Sequence, residues 1–315
     1  MSDFRKRVGM YKGMPFGYYH LCTDGWQDGK LFHTEKQFAQ GMATLALSTL
    51  KNEIRIIGAE LMKNHYHEVL AGTGAACVAS FFFCVRRINK QLVEDGYPPL
   101  PDDYGFKLIP IESVESMRAH LVYLARNAFE KGLCVPNGHK WGTAYLCYNE
   151  LATLIHGRKV KEMSQNEVWR LTKSRMILPP DWEIHPDLGI LPSGYVQMNK
   201  VREFFPSVKD FMTSLVKDYE AFVRVSDSVG ETVEWSLEEA RDIVRQEAEK
   251  EGSSLNGMSN EQKCRLAVRL AEHYRMSSRT LAQSLYISER IVVQALNSKE
   301  YGLRKRLCKR GCCIG

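Results

Sequence analysis

Two stretches of this chain combine side chains able to bind a metal or attack a substrate. In Asn64-His65-Tyr66-His67-Glu68-Val69-Leu70, two histidines sit one residue apart in a run that reads as a β-strand. Strand side chains alternate faces, so His65 and His67 point the same way and Tyr66 points the other way, towards a core. Imidazoles spaced like this, with Cβ atoms roughly 7 Å apart, can share one metal ion. A histidine pair on a strand also occurs without a ligand. The second stretch is Met117-Arg118-Ala119-His120-Leu121-Val122-Tyr123-Leu124-Ala125-Arg126-Asn127-Ala128. Met117, Leu121, Leu124 and Ala128 follow the i, i+4, i+7, i+11 spacing of a helical core stripe. Tyr123 falls off that stripe, and Asn127 lies one turn on at the same side. The spacing predicts a tyrosine and an amide presented together, away from the main core, as an edge tyrosine with its hydroxyl in water.

The elements that must position these residues are legible from periodicity. Residues 17–23 are aromatic-rich and end at Asp24-Gly25, a strand followed by a turn. Thr34 with Gln37 forms a capping box, and Phe38, Met42, Leu45 and Ala46 follow with helical spacing. Residues 54–61 read as a second strand, joined by Lys63-Asn64 to the histidine strand. Residues 75–92 read as a second helix, 106–111 as a fourth strand, and Ser113 caps a third helix that stops at Gly132. The order β-α-β-β-α-β is the split βαβ pattern of a ferredoxin-like α+β fold, in which the histidine strand is central in an antiparallel sheet.

The chain has 315 residues, 44% hydrophobic and 25% charged, enough to bury a core of two domains or of one with extensions. The expected division is 1–150, a helical extension over 151–230, and a helical C-terminal module over 231–315. A net charge of +6 is compatible with nucleic acid as a partner. The nine cysteines show neither zinc-ribbon nor disulfide spacing. No stretch has the length of a membrane span and no signal peptide is visible, so a cytoplasmic protein without a membrane partner is expected. No P-loop motif appears.

Near the C-terminus, Ser236-Leu237-Glu238-Glu239 opens a helix. Residues 251–260 read as a linker. Residues 279–285 and 288–297 are two short helices around a tight turn, with Ala282 and Val292 at the packing positions of a helix-turn-helix. Tyr286 stands where that motif usually has glycine. Arg290 and Gln294 would face outward to DNA. The basic tail Arg304-Lys305-Arg306 and Lys309-Arg310 would touch phosphates.

The two chemical stretches together resemble the single-tyrosine HUH transposases, and among them the REP-associated tyrosine transposases. The strand of that family, roughly Met-Pro-Asn-His-x-His, is matched by Met62-Lys63-Asn64-His65-Tyr66-His67. Its helix, roughly Tyr-Ile-His-x-Asn-Pro and then Gly-Leu, is matched by Tyr123-Leu124-Ala125-Arg126-Asn127-Ala128 and Gly132-Leu133. A Trp-Ser-Ser-Tyr element is similar to Trp141-Gly142-Thr143-Ala144-Tyr145. The likeness covers about residues 15–150. Lys63 and Ala128 replace prolines, Ala125 replaces histidine, and Tyr66 stands where the family has an aliphatic residue. None of these removes a catalytic group, but they leave the DNA target open.

The resemblance implies a metal-dependent enzyme that cleaves and rejoins single-stranded or hairpin DNA. His65 and His67 would hold Mg²⁺ or Mn²⁺ with Asn127 as third ligand, and Tyr123 would be the nucleophile, giving a 5′-phosphotyrosine. Imidazole suits Mn²⁺ better than Mg²⁺. His120, one turn before Tyr123, is a candidate base. Arg86, Arg87, Lys90 and Arg126 are candidate phosphate contacts. A replication initiator or relaxase of the same superfamily, and a DNA-binding regulator that has lost cleavage, stay open as alternatives. So does a homodimer.

Overall fold

A computed structural model describes residues 7–26, 29–130 and 137–298. The chain divides into two compact units, Met1–Asp218 and Tyr219–Gly315. The first begins with β1 (Gly17–Thr23), α1 (Glu35–Asn52), β2 (Arg55–Leu61), β3 (Tyr66–Gly72), α2 (Gly74–Glu94), β4 (Phe106–Ile111) and α3 (Val114–Glu130). The strands form one sheet in the order β2-β3-β1-β4, antiparallel at every step. The protein is therefore α+β, with β3 and β1 central.

Local chemistry accounts for the boundaries. Thr34 caps α1 and its hydroxyl accepts the Gln37 N–H. The Gln37 side chain reaches past the cap, accepting from the His33 N–H at 2.6 Å and donating to Asp95 at 2.7 Å. Ser113 opens α3, its hydroxyl accepting the Ser116 N–H at 3.0 Å. The β2–β3 turn closes with the Met62 N–H donating to the His65 carbonyl at 2.9 Å. His65 is thus the last residue of the turn and β3 starts at Tyr66.

The sheet has two unlike faces. Tyr19, Leu21, Ile56, Tyr66 and Leu70 belong to the main hydrophobic cluster with α1 and α2. On the other face lie His67, Val69 and Gly58, covered by α3. A Cβ at Gly58 would stand 2.9 Å from Leu121 Cδ2 and 3.3 Å from Leu124 Cδ2, so the glycine lets the helix settle on the sheet.

A second layer covers α3. It includes α4 (Thr143–Tyr148), α6 (Met198–Phe204) and α7 (Val208–Lys217), whereas α5 (Gln165–Thr172) packs on α1 and receives the Arg87 side chain of α2 on the Thr172 carbonyl. Arg118 of α3 donates to Ser214 at 3.0 Å and pairs with Asp210. Arg126 donates from Nη1 to the Leu215 carbonyl at 2.7 Å. No residue from Ala119 to Asn127 is more than 8% exposed. The one-sided stripe expected for this helix is corrected: apolar spacing marked the face towards the sheet, while buried hydrogen bonds satisfy the side facing the second layer. Residues 151–218 also hold a small antiparallel sheet of β5 (Arg158–Lys159), β6 (Glu183–His185) and β7 (Gly189–Ile190), too short to show alternation in the sequence.

The second unit is helical: α8 (Tyr219–Val229), α9 (Leu237–Lys250), α10 (Asn260–Tyr274), α11 (Ser278–Leu285) and α12 (Glu289–Leu296). Trp235 holds it together, with its ring 5.5 Å from that of Tyr219 and its Nε1 donating to the Tyr274 carbonyl at 2.6 Å. The Tyr274 hydroxyl meets Glu220 and Glu247. Residues 251–260 therefore join packed helices, and the reading of them as a flexible linker is corrected. Tyr286 takes the left-handed conformation, φ +56°, that glycine usually supplies between such helices. The basic tail lies outside the described residues. Among those described, no helix is long and apolar enough to cross a membrane.

Glu68 sits on the core face of β3, completely buried, and neither of its carboxylate oxygens meets a protein hydrogen-bond partner among the described residues. Burial pushes its carboxyl up to about 8 from 4.5. The folded protein keeps a proton that the unfolded chain releases, so stability falls as pH rises between these values, by about 1.4 kcal/mol per unit. Glu68→Gln removes that slope. Melting curves from pH 5 to 8 should show the variant gaining steadily on wild type; parallel curves would refute the assignment.

Candidate metal and nucleophile site

Register brings the site together on the α3 face of the sheet. β3 presents His67, with Cys22 of β1 and Glu60 of β2 directly opposite it. His20, two residues before Cys22 on β1, shares that face, and α3 lowers His120, Tyr123 and Asn127 onto it. All these side chains are buried, His67 completely and Tyr123 at 1% exposure. The solvent-edge position expected for Tyr123 is corrected: its ring packs 5.5 Å from that of His67 and 5.9 Å from that of His20.

The hydrogen bonds assign the protons. The Asn127 amide donates from Nδ2 to His67 Nε2 at 2.8 Å and to His65 Nε2 at 3.2 Å. Both Nε2 atoms are thus acceptors, and each ring carries its proton on Nδ1. The His65 Nδ1–H donates to Asn64 Oδ1 at 2.9 Å, and the Asn64 Nδ2 points to the Trp26 carbonyl, which fixes its orientation. The His67 Nδ1–H donates to His20 Nε2 at 3.1 Å, and His20 Nδ1 in turn meets His120 Nδ1 at 2.8 Å. Burial, and secondarily the charge of His67, hold His120 down to about 4 from 6.5, so it is neutral at physiological pH.

Two lone pairs of imidazole nitrogen therefore converge on one point, which the Asn127 amide nitrogen now occupies. An ion seated at that point would displace the amide, which on turning over can offer Oδ1 as a third donor beside it. Two nitrogens and one oxygen suit a divalent ion of the Mn²⁺ or Mg²⁺ type, so the residues present fit the implied metal.

Glu60 is a further buried acid of this face. Burial holds its carboxyl well above the usual range, with His67 acting weakly the other way. His139 Nε2 lies 3.8 Å from it and donates to the Leu61 carbonyl at 2.8 Å. A Cβ at Gly142 would overlap the Glu60 carboxylate, so glycine lets that loop close against the acid without displacing it.

Of the residues singled out in the sequence, His65, His67, Tyr123, Asn127 and the candidate base His120 come together. The remaining candidates scatter. Arg126 is buried on Leu215 and is no phosphate contact. Arg87 spends its guanidinium inside the fold, on the Thr172 carbonyl at 2.8 Å and the Thr44 hydroxyl at 3.3 Å. Arg86 and Lys90 are exposed, but on α2, which covers the face opposite the histidines. Arg290 and Gln294 are exposed one turn apart on α12 of the second unit. Periodicity missed His20 and Glu60; their alternation with Cys22 and Gly58 was visible, but not the register that aligns them with His67. No protein-family model matches the chain, and neither a curated protein nor a solved structure matches it.

Proposed function

We propose that the first unit is a ferredoxin-like HUH domain, similar to the REP-associated tyrosine transposases, that cleaves and rejoins single-stranded DNA through Tyr123. The observation that carries this reading is the convergence of His65 and His67 Nε2 on the Asn127 amide beside the Tyr123 ring. His65, His67 and Asn127 would hold a divalent ion, which supplies polarisation of the scissile phosphate and neutralises its developing charge.

The chain's own residues do the rest. The Tyr123 oxygen attacks phosphorus, forming the tyrosyl–phosphate bond and breaking the bond to the 3′-oxygen, which leaves as a 3′-hydroxyl after taking up a proton. The phenol proton must go to a base. A free phenol ionises near 10, so deprotonation at or before attack is required, and His20 and His120, whose nitrogens are engaged with each other and with His67, are not the base in this arrangement. Phosphodiester energy stays in the 5′-phosphotyrosine, so a second 3′-hydroxyl can reverse the step and join strands without ATP. Because Tyr123 is buried, the site must open for DNA to reach it. Labelled hairpin DNA incubated with Mn²⁺ should leave a covalent adduct that survives denaturation, whereas duplex DNA should not. Absence of any adduct across hairpin sequences would defeat the proposal.

The helices α11 and α12 are read as a helix-turn-helix that contacts DNA through Arg290 and Gln294. Removing residues beyond Gly257 would strip α10 from α8 and α9, so substitution is the cleaner test. Arg290→Ala with Gln294→Ala should weaken hairpin binding and flatten its salt dependence by about one unit of slope. Adduct formation on a saturating short substrate should stay unchanged. Unaltered binding at every salt concentration would mean that α12 does not touch DNA.

A further inference from the structure

The candidate site does not end at its three converging ligands. Behind His67 runs a buried chain of rings: His67 Nδ1 to His20 Nε2 at 3.1 Å, and His20 Nδ1 to His120 Nδ1 at 2.8 Å. These residues come from three separate elements, β3, β1 and α3, 47 and 100 positions apart at the two bonds. Each ring is at least nine-tenths buried. The His20 ring stands edge-on to that of His120 at 87° and is tilted at 55° to that of His67, so its two nitrogens aim at two different partners.

A neutral imidazole has one donor and one acceptor, and here the assignment has a single direction. The Asn64 Nδ2 faces the Trp26 carbonyl, so Asn64 Oδ1 takes the His65 Nδ1–H, His65 Nε2 accepts, and Asn127 presents Nδ2 to both rings; His67 Nε2 then accepts and His67 Nδ1 carries the hydrogen. His20 Nε2 then accepts, which puts the His20 hydrogen on Nδ1, facing His120 Nδ1 as acceptor. If His20 were turned over or replaced by an apolar residue, His67 would lose the acceptor that keeps its hydrogen on Nδ1. The Nε2–H tautomer would then compete, and that form has no lone pair on the side of His65 and Asn127. His65 receives the equivalent hold from the neighbouring Asn64, whereas His67 depends on a residue from another strand.

We propose that His20, backed by His120, is a positioning residue that locks His67 in the Nδ1–H tautomer with its Nε2 lone pair aimed at the ion. The tautomer lock follows from the protein's own hydrogen bonds; its consequence for metal affinity rests on the metal reading above. Acceptors behind a ligating imidazole fix its ring and raise its basicity, and losing one typically costs about 10- to 100-fold in metal affinity.

Two amide substitutions separate this role from simple packing. In His20→Gln the side-chain amide reaches the place of Nε2 and keeps the acceptor for His67. In His20→Asn the shorter amide reaches only the place of Nδ1, towards His120. Nitrogen-15 spectra of the metal-free full chain report the His67 tautomer directly. Wild type and His20→Gln should show the Nδ1–H form, and His20→Asn a mixture with Nε2–H. Titration with Mn²⁺ alone should show wild type and His20→Gln within a few fold of each other and His20→Asn about 10- to 100-fold weaker. His120→Leu, which removes the outer acceptor but leaves His20, should fall between them. Equal tautomer populations in the Gln and Asn variants would overturn the proposal, as would equal Mn²⁺ affinities alongside a shifted tautomer. If wild type bound no Mn²⁺, the metal reading would fail instead, while the spectra would still decide the lock.

Discussion

Tyr123→Phe should form no protein–DNA adduct at all. Phenylalanine has no oxygen to attack phosphorus, and no other group on α3 beside the histidines can replace it. The ring remains, so its contacts 5.5 Å from His67 and 5.9 Å from His20 survive the change. Because Tyr123 is buried at 1% exposure, loss of the hydroxyl is felt by the fold, at about 1 kcal/mol. The variant should therefore melt a few degrees below wild type, bind hairpin DNA, and bind Mn²⁺ as wild type does. Peptide mapping of the wild-type adduct gives the direct check. Tyr18, Tyr19, Tyr66 and Tyr145 lie in the same unit, and phosphate on any of them would overturn the assignment of the nucleophile while leaving the metal site standing.

The second large effect concerns His65 and His67. Replacing both should abolish stoichiometric Mn²⁺ binding and adduct formation together. Alanine is a poor choice here, since both rings are buried and their removal leaves a cavity beside the Asn127 amide. Leucine fills more of the volume and cannot bind a metal, so the double leucine variant, checked by its melting curve, is the better test. Adduct yield in that variant equal to wild type, or equal yield for wild type in EDTA, would remove the metal from the mechanism. Single substitutions should rank in an informative way. His67 carries the link to His20 as well as its share of the converging pair, so its loss should disturb folding more than that of His65, which lies at the end of the turn between Asn64 and Asn127.

Much of this architecture was written in the local sequence. The order of strands and helices from β1 to α3 follows from alternation, helical spacing, the Thr34 and Ser113 caps, and turn residues. The division of β3 into a histidine face and a Tyr66 face follows from a period of two. Each of these signals operates over a few residues, where backbone geometry and side-chain spacing are tied directly together. The spacing of Tyr123 and Asn127 on one side of a helix is of the same kind, and the structure keeps them together.

The rest depends on contacts between residues far apart along the chain. The register that sets Glu60 and Cys22 opposite His67 depends on the Met62–His65 turn and on the packing of both sheet faces at once. Arg126 looked like a phosphate contact because a charged residue on a helix is normally solvated. It is buried because α7 supplies a carbonyl 89 residues away. Tyr123 looked like an edge residue because nothing in its own helix announces a second layer above. His20 was one histidine on a first strand until β1 came to lie between β3 and β4 and α3 descended with His120. A period of 2 or 3.6 tells a residue which way it faces. The neighbour it meets there is set by the simultaneous burial of many distant segments, and no local spacing encodes that.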